Sequence, residues 1–169
     1  MTMVDDLTGL YNRRGLLALG RQQVAFAQRT RRALLVLYAD LDHMKWINDT
    51  HGHAEGDRAI EAAAGLLRDT FRRSDVIARV GGDEFAVLSL EVTPGAIDVV
   101  SARLDAAVTA FNSKGLRPYP VSLSVGASYY DPESPCTVEE LLERADSLMY
   151  QQKRERRPNP VQNTNTTTS

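Results

Sequence analysis

The segment "DVIARVGGDEFAVLSL", residues 75–90, constrains the fold more than any other stretch of the chain. Two apolar runs flank a short polar turn, which is the pattern of a β-hairpin. Gly81 and Gly82 can take the positive φ angles that a two-residue hairpin turn needs. A hairpin brings an antiparallel pair into the sheet, which excludes a purely parallel, doubly wound fold. The adjacent acids Asp83 and Glu84 exceed what a turn requires, since one Asp beside a Gly already makes a good turn.

The rest of the chain alternates helical and strand periodicity. Helices are predicted near residues 12–29, 43–52, 55–71 and 97–111, and strands at 33–42 and 119–130. Thr137 and Glu140 form a capping-box pattern that opens one more helix. Its predicted apolar side consists of Val138, Leu141, Leu142, Ala145, Leu148 and Met149. The sequence therefore predicts an α/β protein of the α+β kind.

Composition narrows the class of protein. The chain has 169 residues, which is enough for one domain with a proper core. A formal net charge of -2 gives no basic field for nucleic acid, and the single cysteine, Cys136, excludes an internal disulfide. No apolar run predicts a membrane span, and the N-terminus is unlike a signal peptide, so we expect a cytoplasmic protein without direct membrane contact. Residues 158–169 lack periodicity and core-forming residues, which predicts a disordered tail after a domain at 1–157.

Two groups of acids indicate a metal site. Asp40 and Asp42 end the strand predicted at 33–42, and the ends of adjacent strands can lie close together. Carboxylates converging there with Asp83 and Glu84 would repel one another unless a hard cation lay between them. Mg²⁺ prefers oxygen ligands and leaves room for substrate phosphate oxygens. The alternative is an ordinary solvated turn and a charged strand end.

The histidines raise a second metal hypothesis. His43, His51 and His53 suit zinc as residue types, but their spacing fits no common zinc pattern and no cysteine lies nearby. Trp46 is interpreted as partly buried packing rather than as a platform for a base. We therefore favour oxygen coordination over zinc.

At this point five ordered blocks resemble the GGDEF family, the diguanylate cyclases that make cyclic di-GMP from two GTP. The blocks are "DDLTGLYNRRGL" (5–16), "DLDHMKWINDTHGHAEGD" (40–57), "RVGGDEF" (79–85), "SLSVGAS" (122–128) and "ADSLMYQQK" (145–153). The resemblance implies a ferredoxin-like domain of the nucleotidyl-cyclase type, in which helices flank a central, mainly antiparallel sheet that carries the GGDEF β-hairpin.

The resemblance also implies a metal and catalytic site. Asp40 and Asp83 would bind Mg²⁺, or Mn²⁺ in its place, helped by the backbone carbonyl of Leu41. Glu84 would lie beside the metals and the reacting hydroxyl. Asp83, Glu84 and Lys45 would be the catalytic residues.

Substrate residues follow from the same resemblance. Lys45, Lys153 and Arg157 would bind the phosphates of GTP, while Asn48 and Asp57 would read the guanine edge. An Asp carboxylate accepts from the N1–H and N2–H₂ donors of guanine, a donor pair that adenine lacks.

The chain departs from the family after its last helix. The family often closes with "GRN", where this chain reads "RRPN" at 156–159. Arg157 keeps its place, but Arg156 replaces a flexible Gly and Pro158 restricts the residue before it. Met44 stands where the family often has an aromatic residue and keeps the apolar contact.

A second binding site is implied by "RRSD" at 72–75. At this offset from the GGDEF turn, an Arg-x-x-Asp resembles the inhibitory product site of the family. Arg72 would grip phosphate or guanine, and Asp75 would accept from guanine N–H groups. The alternative is a helix C-terminus with favourable cations followed by a loop acid.

The resemblance implies a Mg²⁺-dependent nucleotidyltransferase of signal transduction that releases pyrophosphate. Two domains would pair as a homodimer, under a sensor domain absent from this chain, and the product would inhibit. One rival is a non-enzymatic receptor of GTP or cyclic di-GMP, whose mark would be loss of the acids. Another is a cyclase with mixed purine choice, whose mark would be loss of Asp57. Asp40, Asp83, Glu84 and Asp57 are all intact.

Overall fold

The computed structural model describes residues 1–90 and 92–156. Helices and strands alternate along this part of the chain. The elements are α1 (Arg13–Thr30), β1 (Leu34–Leu41), α2 (Met44–His51), α3 (His53–Thr70), β2 (Val76–Arg79), β3 (Glu84–Leu90), α4 (Ala96–Ser113), β4 (Leu123–Tyr130) and α5 (Val138–Glu155). None of the helices within these ranges is both long and apolar enough to cross a membrane. The tail predicted at 158–169 lies outside the described residues.

The four strands form one antiparallel sheet in the order β2-β3-β1-β4. All eight residues of β1 are buried, so the strand that ends at the first acidic group is the most enclosed one. The predicted α/β class with an antiparallel sheet is confirmed. The antiparallel hairpin of β2 and β3, predicted from two apolar runs around a short polar turn, is also present.

Two hydrophobic layers cover the two faces of the sheet, because neighbouring residues of a strand point to opposite sides. Leu37, Ala39 and Leu41 pack into the layer that contains buried residues of α3 and α4. Val36 and Tyr38 pack into the other layer, with α1 and α5. Asp40 has the parity of Tyr38, which places its carboxylate on the face that α5 covers.

The two-residue turn predicted at Gly81 and Gly82 is wrong. Strand β2 ends at Arg79 and β3 begins at Glu84, so four residues make the connection, and neither glycine has a left-handed φ. The chain therefore reverses over four residues instead of two. The Arg79 guanidinium stabilises this connection by donating two hydrogen bonds to the Gly82 carbonyl, at 2.7 and 3.0 Å. Gly81 lies close to the Glu84 side chain: a Cβ there would lie 2.9 Å from Glu84 Oε2, so a larger residue would displace that carboxylate.

Helix α5 begins as its sequence predicts. Thr137 is the N-cap, and its hydroxyl accepts from the Glu140 backbone N–H at 3.1 Å. The predicted apolar side is buried except at Leu148, which is 46% exposed and was placed wrongly. Leu148 lies one turn after Ala145 but at the margin of the stripe, where the sheet no longer covers it. The strand predicted at 119–130 is shorter than expected, since β4 begins at Leu123.

Helix α5 lies very close to β4 at Gly126. A Cβ at this position would lie 2.1 Å from the Ala145 carbonyl oxygen and 2.2 Å from the Met149 backbone nitrogen. Both atoms belong to the backbone of the helix, so rotation of a side chain cannot relieve the overlap. The absence of a side chain at Gly126 therefore sets the distance between α5 and the sheet.

We predict that Gly126→Ala lowers the free energy of unfolding by about 1–3 kcal/mol or more, because α5 must move away from the sheet. The matched control is Gly65→Ala on α3, where a Cβ meets nothing within 4 Å. That variant should gain about 0.5–1 kcal/mol from helix propensity. Urea unfolding measures the free energy of unfolding of both variants. Equal changes would show that α5 can move away from Gly126 at no cost in stability.

Candidate active site

The acidic residues of the two motifs meet at one end of the sheet. Asp40 and Glu84 are direct partners across β1 and β3. Asp83 immediately precedes β3, and its backbone carbonyl accepts from the Leu41 N–H at 3.0 Å. The structure thus brings together the four residues that the resemblance implies for a metal site: Asp40, Leu41, Asp83 and Glu84. The three carboxylates lie close together although like charges repel.

Asp40 lies in an unfavourable setting for a carboxylate. Its side chain is buried, and within the described residues Oδ1 has no hydrogen-bond partner. Burial, together with the charges of Asp83 and Glu84, raises the pKa of Asp40 to about 7, although Lys153 opposes the shift. Lys153 Nζ lies 3.0 Å from Asp40 Oδ2. One oxygen of Asp40 is therefore paired with a lysine, and the other lacks the partner that a buried polar atom normally has.

A divalent cation fits this defect, because it would satisfy Oδ1 and offset the repulsion among the carboxylates. Among the described residues, however, no three His, Cys, Asp or Glu side chains converge into a complete metal cluster. Glu84 Oε2 accepts instead from the Tyr38 hydroxyl at 2.9 Å. The protein ligands that fit are Asp40, Asp83 and a backbone carbonyl, an incomplete set that leaves positions for phosphate oxygens.

Asp42 has a different role from Asp40. Its two carboxylate oxygens accept from the hydroxyls of Ser122 and Ser124, each at 2.6 Å. Its backbone N–H donates to the Ser122 carbonyl at 2.8 Å. Asp42 thereby joins the end of β1 to the start of β4, and serine hydroxyls occupy both of its carboxylate oxygens.

A cavity of about 300 Å³ adjoins the acids and carries positive charge from two helices. Its lining consists of Asp42, His43, Met44, Lys45, Asp83, Lys153 and Arg156. Lys45 comes from α2, which follows a left-handed residue, His43, with φ of 62°. Lys153 comes from the last turn of α5. Lysine ammonium groups beside a carboxylate pair are suited to a phosphate that carries its own metal.

Sequence analysis missed Arg156. Its guanidinium donates to the Leu123 carbonyl and lies 3.5 Å from Asp42 Oδ2. Arg156 follows Lys153 by three residues, and residues at that spacing share a helix face, so the signal was present. Arg157, which the resemblance favoured for phosphate, lies outside the described residues.

The two residues predicted to read guanine lie on α2 and α3. Asn48 is partly buried, and a Cβ on Gly56 would fall only 1.9 Å from its Oδ1. The glycine therefore leaves the space that the Asn48 carboxamide occupies. Asp57 follows Gly56 and is exposed. Asn48 therefore lies against the residue that precedes Asp57, where α2 meets α3.

Arg72 and Asp75 bind each other in the turn between α3 and β2. The Asp75 side chain is 3% exposed, and Oδ2 accepts from the Arg72 backbone N–H at 2.8 Å. Oδ1 accepts from the Ser89 hydroxyl at 2.8 Å. The Arg72 side chain is 54% exposed and donates to the Leu90 carbonyl at 2.7 Å. Asp75 thus closes a turn, while Arg72 stays accessible to a ligand.

Three aromatic side chains on and beside α2, the helix that carries Asn48, pack on one another. The His51 ring lies 5.4 Å from the Trp46 ring, edge-on, and 5.3 Å from the Tyr119 ring. Trp46 is 50% exposed, which is more than the partly buried packing expected of it. The short helix α2 covers only one side of the indole.

Comparison with known proteins agrees with the observed fold. The family model "Diguanylate cyclase, GGDEF domain" matches residues 2–159. Diguanylate cyclase DgcP of Pseudomonas aeruginosa is 39% identical over 154 residues, covering 90% of this chain and 22% of that protein. Cyclic di-GMP phosphodiesterase NbdA of the same organism is 35% identical over 153 residues, covering 90% and 19%. The GGDEF domain of DgcB from Caulobacter crescentus, solved with c-di-GMP, superposes with a TM-score of 0.83 at 25% identity and covers 93% of both chains.

The chain thus folds into an antiparallel sheet that carries acids at one end and is flanked by helices that carry lysines. The chain belongs to the diguanylate cyclase GGDEF domain family. It spans about a fifth of the length of the two curated relatives, whose names refer to opposite reactions of cyclic di-GMP. Membership of the family therefore establishes the type of domain and leaves its reaction open.

The raised pKa of Asp40 predicts a pH-dependent stability. An acid whose pKa rises from 3.8 to about 7 on folding favours the fold when protonated, so its ionisation destabilises the metal-free protein as the pH rises through this window. Asp40→Asn mimics the protonated form. We predict that the variant is more stable than the parent, by an amount that grows from about pH 4 to pH 7 and reaches on the order of 4 kcal/mol.

Urea unfolding in the presence of a chelator, at several pH values between 4 and 8, measures this difference. A difference in the free energy of unfolding that stays constant across the range, or a variant less stable than the parent, would show that folding does not raise the pKa of Asp40.

Proposed function

We propose that residues 1–157 condense two GTP molecules into cyclic di-GMP with release of two pyrophosphates. The observation that carries the proposal is the buried Asp40 beside Asp83, Glu84 and a lysine-lined cavity, whose Oδ1 has no hydrogen-bond partner within residues 1–90 and 92–156. Such a carboxylate destabilises the metal-free domain and is suited to a metal-dependent phosphoryl reaction. The family match and the diguanylate cyclase DgcP support the same reaction.

The metal in this proposal is Mg²⁺, with Mn²⁺ as a substitute. Asp40, Asp83 and the backbone carbonyl of Leu41 hold it. When bound, the ion lowers the pKa of a coordinated hydroxyl and neutralises charge that develops on the phosphates. Glu84, opposite Asp40, lies beside the metal and the attacking 3′-hydroxyl, where its free carboxylate oxygen accepts a hydrogen bond from that hydroxyl.

The phosphates of GTP bind in the cavity next to the acids. Lys45 and Lys153 reach it from two helices, and Arg157 is proposed to reach the terminal phosphate. Lys153 is already paired with Asp40 at 3.0 Å, so it joins the metal ligand to the phosphate position. Arg156, anchored on Asp42 and the Leu123 carbonyl, adds a further cation at the rim.

The base of GTP binds where α2 meets α3. The Asn48 carboxamide, which lies over Gly56, offers both a donor and an acceptor. The Asp57 carboxylate accepts from the two donors of the guanine edge. ATP would leave that carboxylate without its donors, and the loss of such bonds discriminates strongly between ligands.

One domain presents one GTP, so the reaction needs two domains arranged head to tail. Such pairing turns a bimolecular encounter into a positioned one and supplies much of the rate. We propose that a homodimer forms in the cytoplasm under the control of a sensor domain outside residues 1–157.

The activity test uses the chain fused to a short dimerising coiled coil, incubated with GTP and Mg²⁺. We expect cyclic di-GMP and pyrophosphate in a ratio of one to two. Asp40→Asn is the control, since it removes a metal ligand and keeps the side-chain volume, and it should reduce turnover on the order of 100-fold or more. A folded dimer that binds GTP and makes no cyclic di-GMP would refute the proposed reaction.

Base choice gives a second prediction. Asp57→Ser removes the acceptor that only guanine satisfies, so the preference for GTP over ATP should narrow by about tenfold or more. Competition binding of the two nucleotides to the parent and the variant measures the preference. Asp49→Ser, which removes an exposed acid on α2, is the matched control and should leave it unchanged. Unchanged discrimination in Asp57→Ser would mean that another group reads the base.

Product inhibition is proposed at the turn of Arg72 and Asp75, where Arg72 offers the accessible group and the buried Asp75, both of whose oxygens are engaged, holds the turn rather than reading guanine. Arg72 is half exposed and can offer its guanidinium to a phosphate or a guanine, as charge-assisted bonds favour. Strand β2 follows directly and leads to the connection that carries Asp83, so a ligand at this turn can restrain the catalytic end of the hairpin. The solved complex of DgcB with c-di-GMP supports product binding by a domain of this fold.

We predict that Arg72→Ala relieves inhibition by added cyclic di-GMP and leaves the initial rate within about twofold, because the residue lies at the far end of β2 from the acids. Initial rates with and without cyclic di-GMP, in parent and variant dimers, give the comparison. Arg29→Ala removes the same charge from the exposed end of α1 and should stay inhibited. Equal inhibition of Arg72→Ala and the parent would leave the turn with a purely structural role.

A further inference from the structure

We infer that Tyr38 is a positioning residue that fixes the carboxylate of Glu84 for the reaction. The inference rests on the proposed function, since it assigns to Tyr38 a part in that same site. It concerns the hydroxyl of Tyr38 and not its ring. No motif of the sequence analysis included this residue.

The contact is direct and sheltered. Tyr38 is 6% exposed and lies on β1, two residues before Asp40 and on the same face of the sheet. Its hydroxyl donates to Glu84 Oε2 at 2.9 Å. A phenol that donates to a carboxylate in a poorly solvated place makes a charge-assisted bond, which is stronger than a bond between neutral groups.

The hairpin connection passes close to the same oxygen. Glu84 Oε2 lies so close to Gly81 that a Cβ on the glycine would stand 2.9 Å from it. The carboxylate is thus enclosed between the tyrosine hydroxyl and the backbone of the hairpin connection. Within the part of the chain that the structure describes, only Oε2 is engaged in this way, and Oε1 is left for the metal or the reacting hydroxyl.

Glu84 needs such an anchor because of its neighbours. It is the direct cross-strand partner of Asp40, and Asp83 precedes it in the chain. Repulsion from these acids would drive an unanchored glutamate side chain toward solvent, because its three rotatable bonds allow it. The hydroxyl of Tyr38 offsets the repulsion by a hydrogen bond and adds no charge. A lysine at this position would add a positive charge.

A purely structural tyrosine would look different, and the chain contains one. Tyr130 on β4 is fully buried, and its hydroxyl has no partner among the described residues. Its ring fills the same hydrophobic layer as the ring of Tyr38, but at the opposite end of the sheet from the acids. The pair permits the same chemical change, loss of one buried hydroxyl, with and without a contact to Glu84.

The experiment compares Tyr38→Phe with Tyr130→Phe in the dimerised chain. Tyr38→Phe should lower kcat for GTP about tenfold and leave KM within about twofold, because it disturbs the placement of Glu84 and not the binding of the base or phosphates. Tyr130→Phe should leave both constants unchanged. Urea unfolding of the two variants shows whether the difference follows stability.

A binding measurement tests the same inference without turnover. Electron paramagnetic resonance titration gives the affinity for Mn²⁺ of the chain saturated with 3′-deoxy-GTP, which lacks the attacking hydroxyl. Tyr38→Phe should weaken Mn²⁺ binding about threefold to tenfold, whereas the same change in a Glu84→Gln background should have no further effect.

The outcomes separate the inference from the proposed function. If the parent dimer makes no cyclic di-GMP, the proposed function fails, and the Mn²⁺ titration still decides the role of Tyr38. If Tyr38→Phe matches Tyr130→Phe in kcat and in Mn²⁺ affinity, or if the parent binds no Mn²⁺, the inference is overturned. If Tyr38→Phe does not fold, Glu84→Gln tests the contact from its other side. That variant should then shift the ¹³Cζ resonance of Tyr38 among the six tyrosines, and an unmoved resonance would overturn the inference.

Discussion

The burial of the Asp40 carboxylate on the central strand is the constraint on which the rest of the structure depends. Strand β1 is enclosed along its whole length, and Asp40 shares its end of the sheet with Asp83 and Glu84. Desolvation and like charge act together there, which is why the pKa of Asp40 rises to about 7. A sequence selected for stability alone would place an apolar residue at this position. The carboxylate of Asp40 at this position indicates a ligand whose positive charge offsets the repulsion among the three acids.

The helix that carries Lys153 is held to the sheet by contacts that serve this site. Gly126 lets the backbone of α5 approach β4 closely, and the Gln152 carboxamide oxygen accepts from the Val125 N–H of that edge strand at 2.6 Å. Lys153 is the next residue and reaches Asp40. The last turn of α5 is therefore registered on the sheet, so that packing between two elements determines the position of a cation in the site.

Sequence patterns predicted the secondary structure and the acidic edge because these depend on periodicity and on residue type. The hairpin was predicted from the two apolar runs that flank the polar turn within residues 75–90. The length of the turn was wrong, because it depends on contacts such as the hydrogen bond from Arg79 to the Gly82 carbonyl. Arg156 was missed because the family pattern has a glycine there, and helix spacing was not applied beyond Lys153. Tyr38 was missed for a physical reason: a tyrosine in an apolar strand looks like core, and only the register of β1 against β3 brings its hydroxyl to Glu84.

The most direct test of a cation at Asp40 is anomalous diffraction from crystals of the chain grown with Mn²⁺ and 3′-deoxy-GTP. The account predicts a manganese peak within about 2.0–2.3 Å of Asp40 Oδ1, the oxygen without a hydrogen-bond partner in the described part of the chain, with the Asp83 carboxylate as a second ligand. Lys153 should then have left Asp40 for a phosphate oxygen. A nucleotide bound with manganese only on its phosphates, while Lys153 remained on Asp40, would contradict the account.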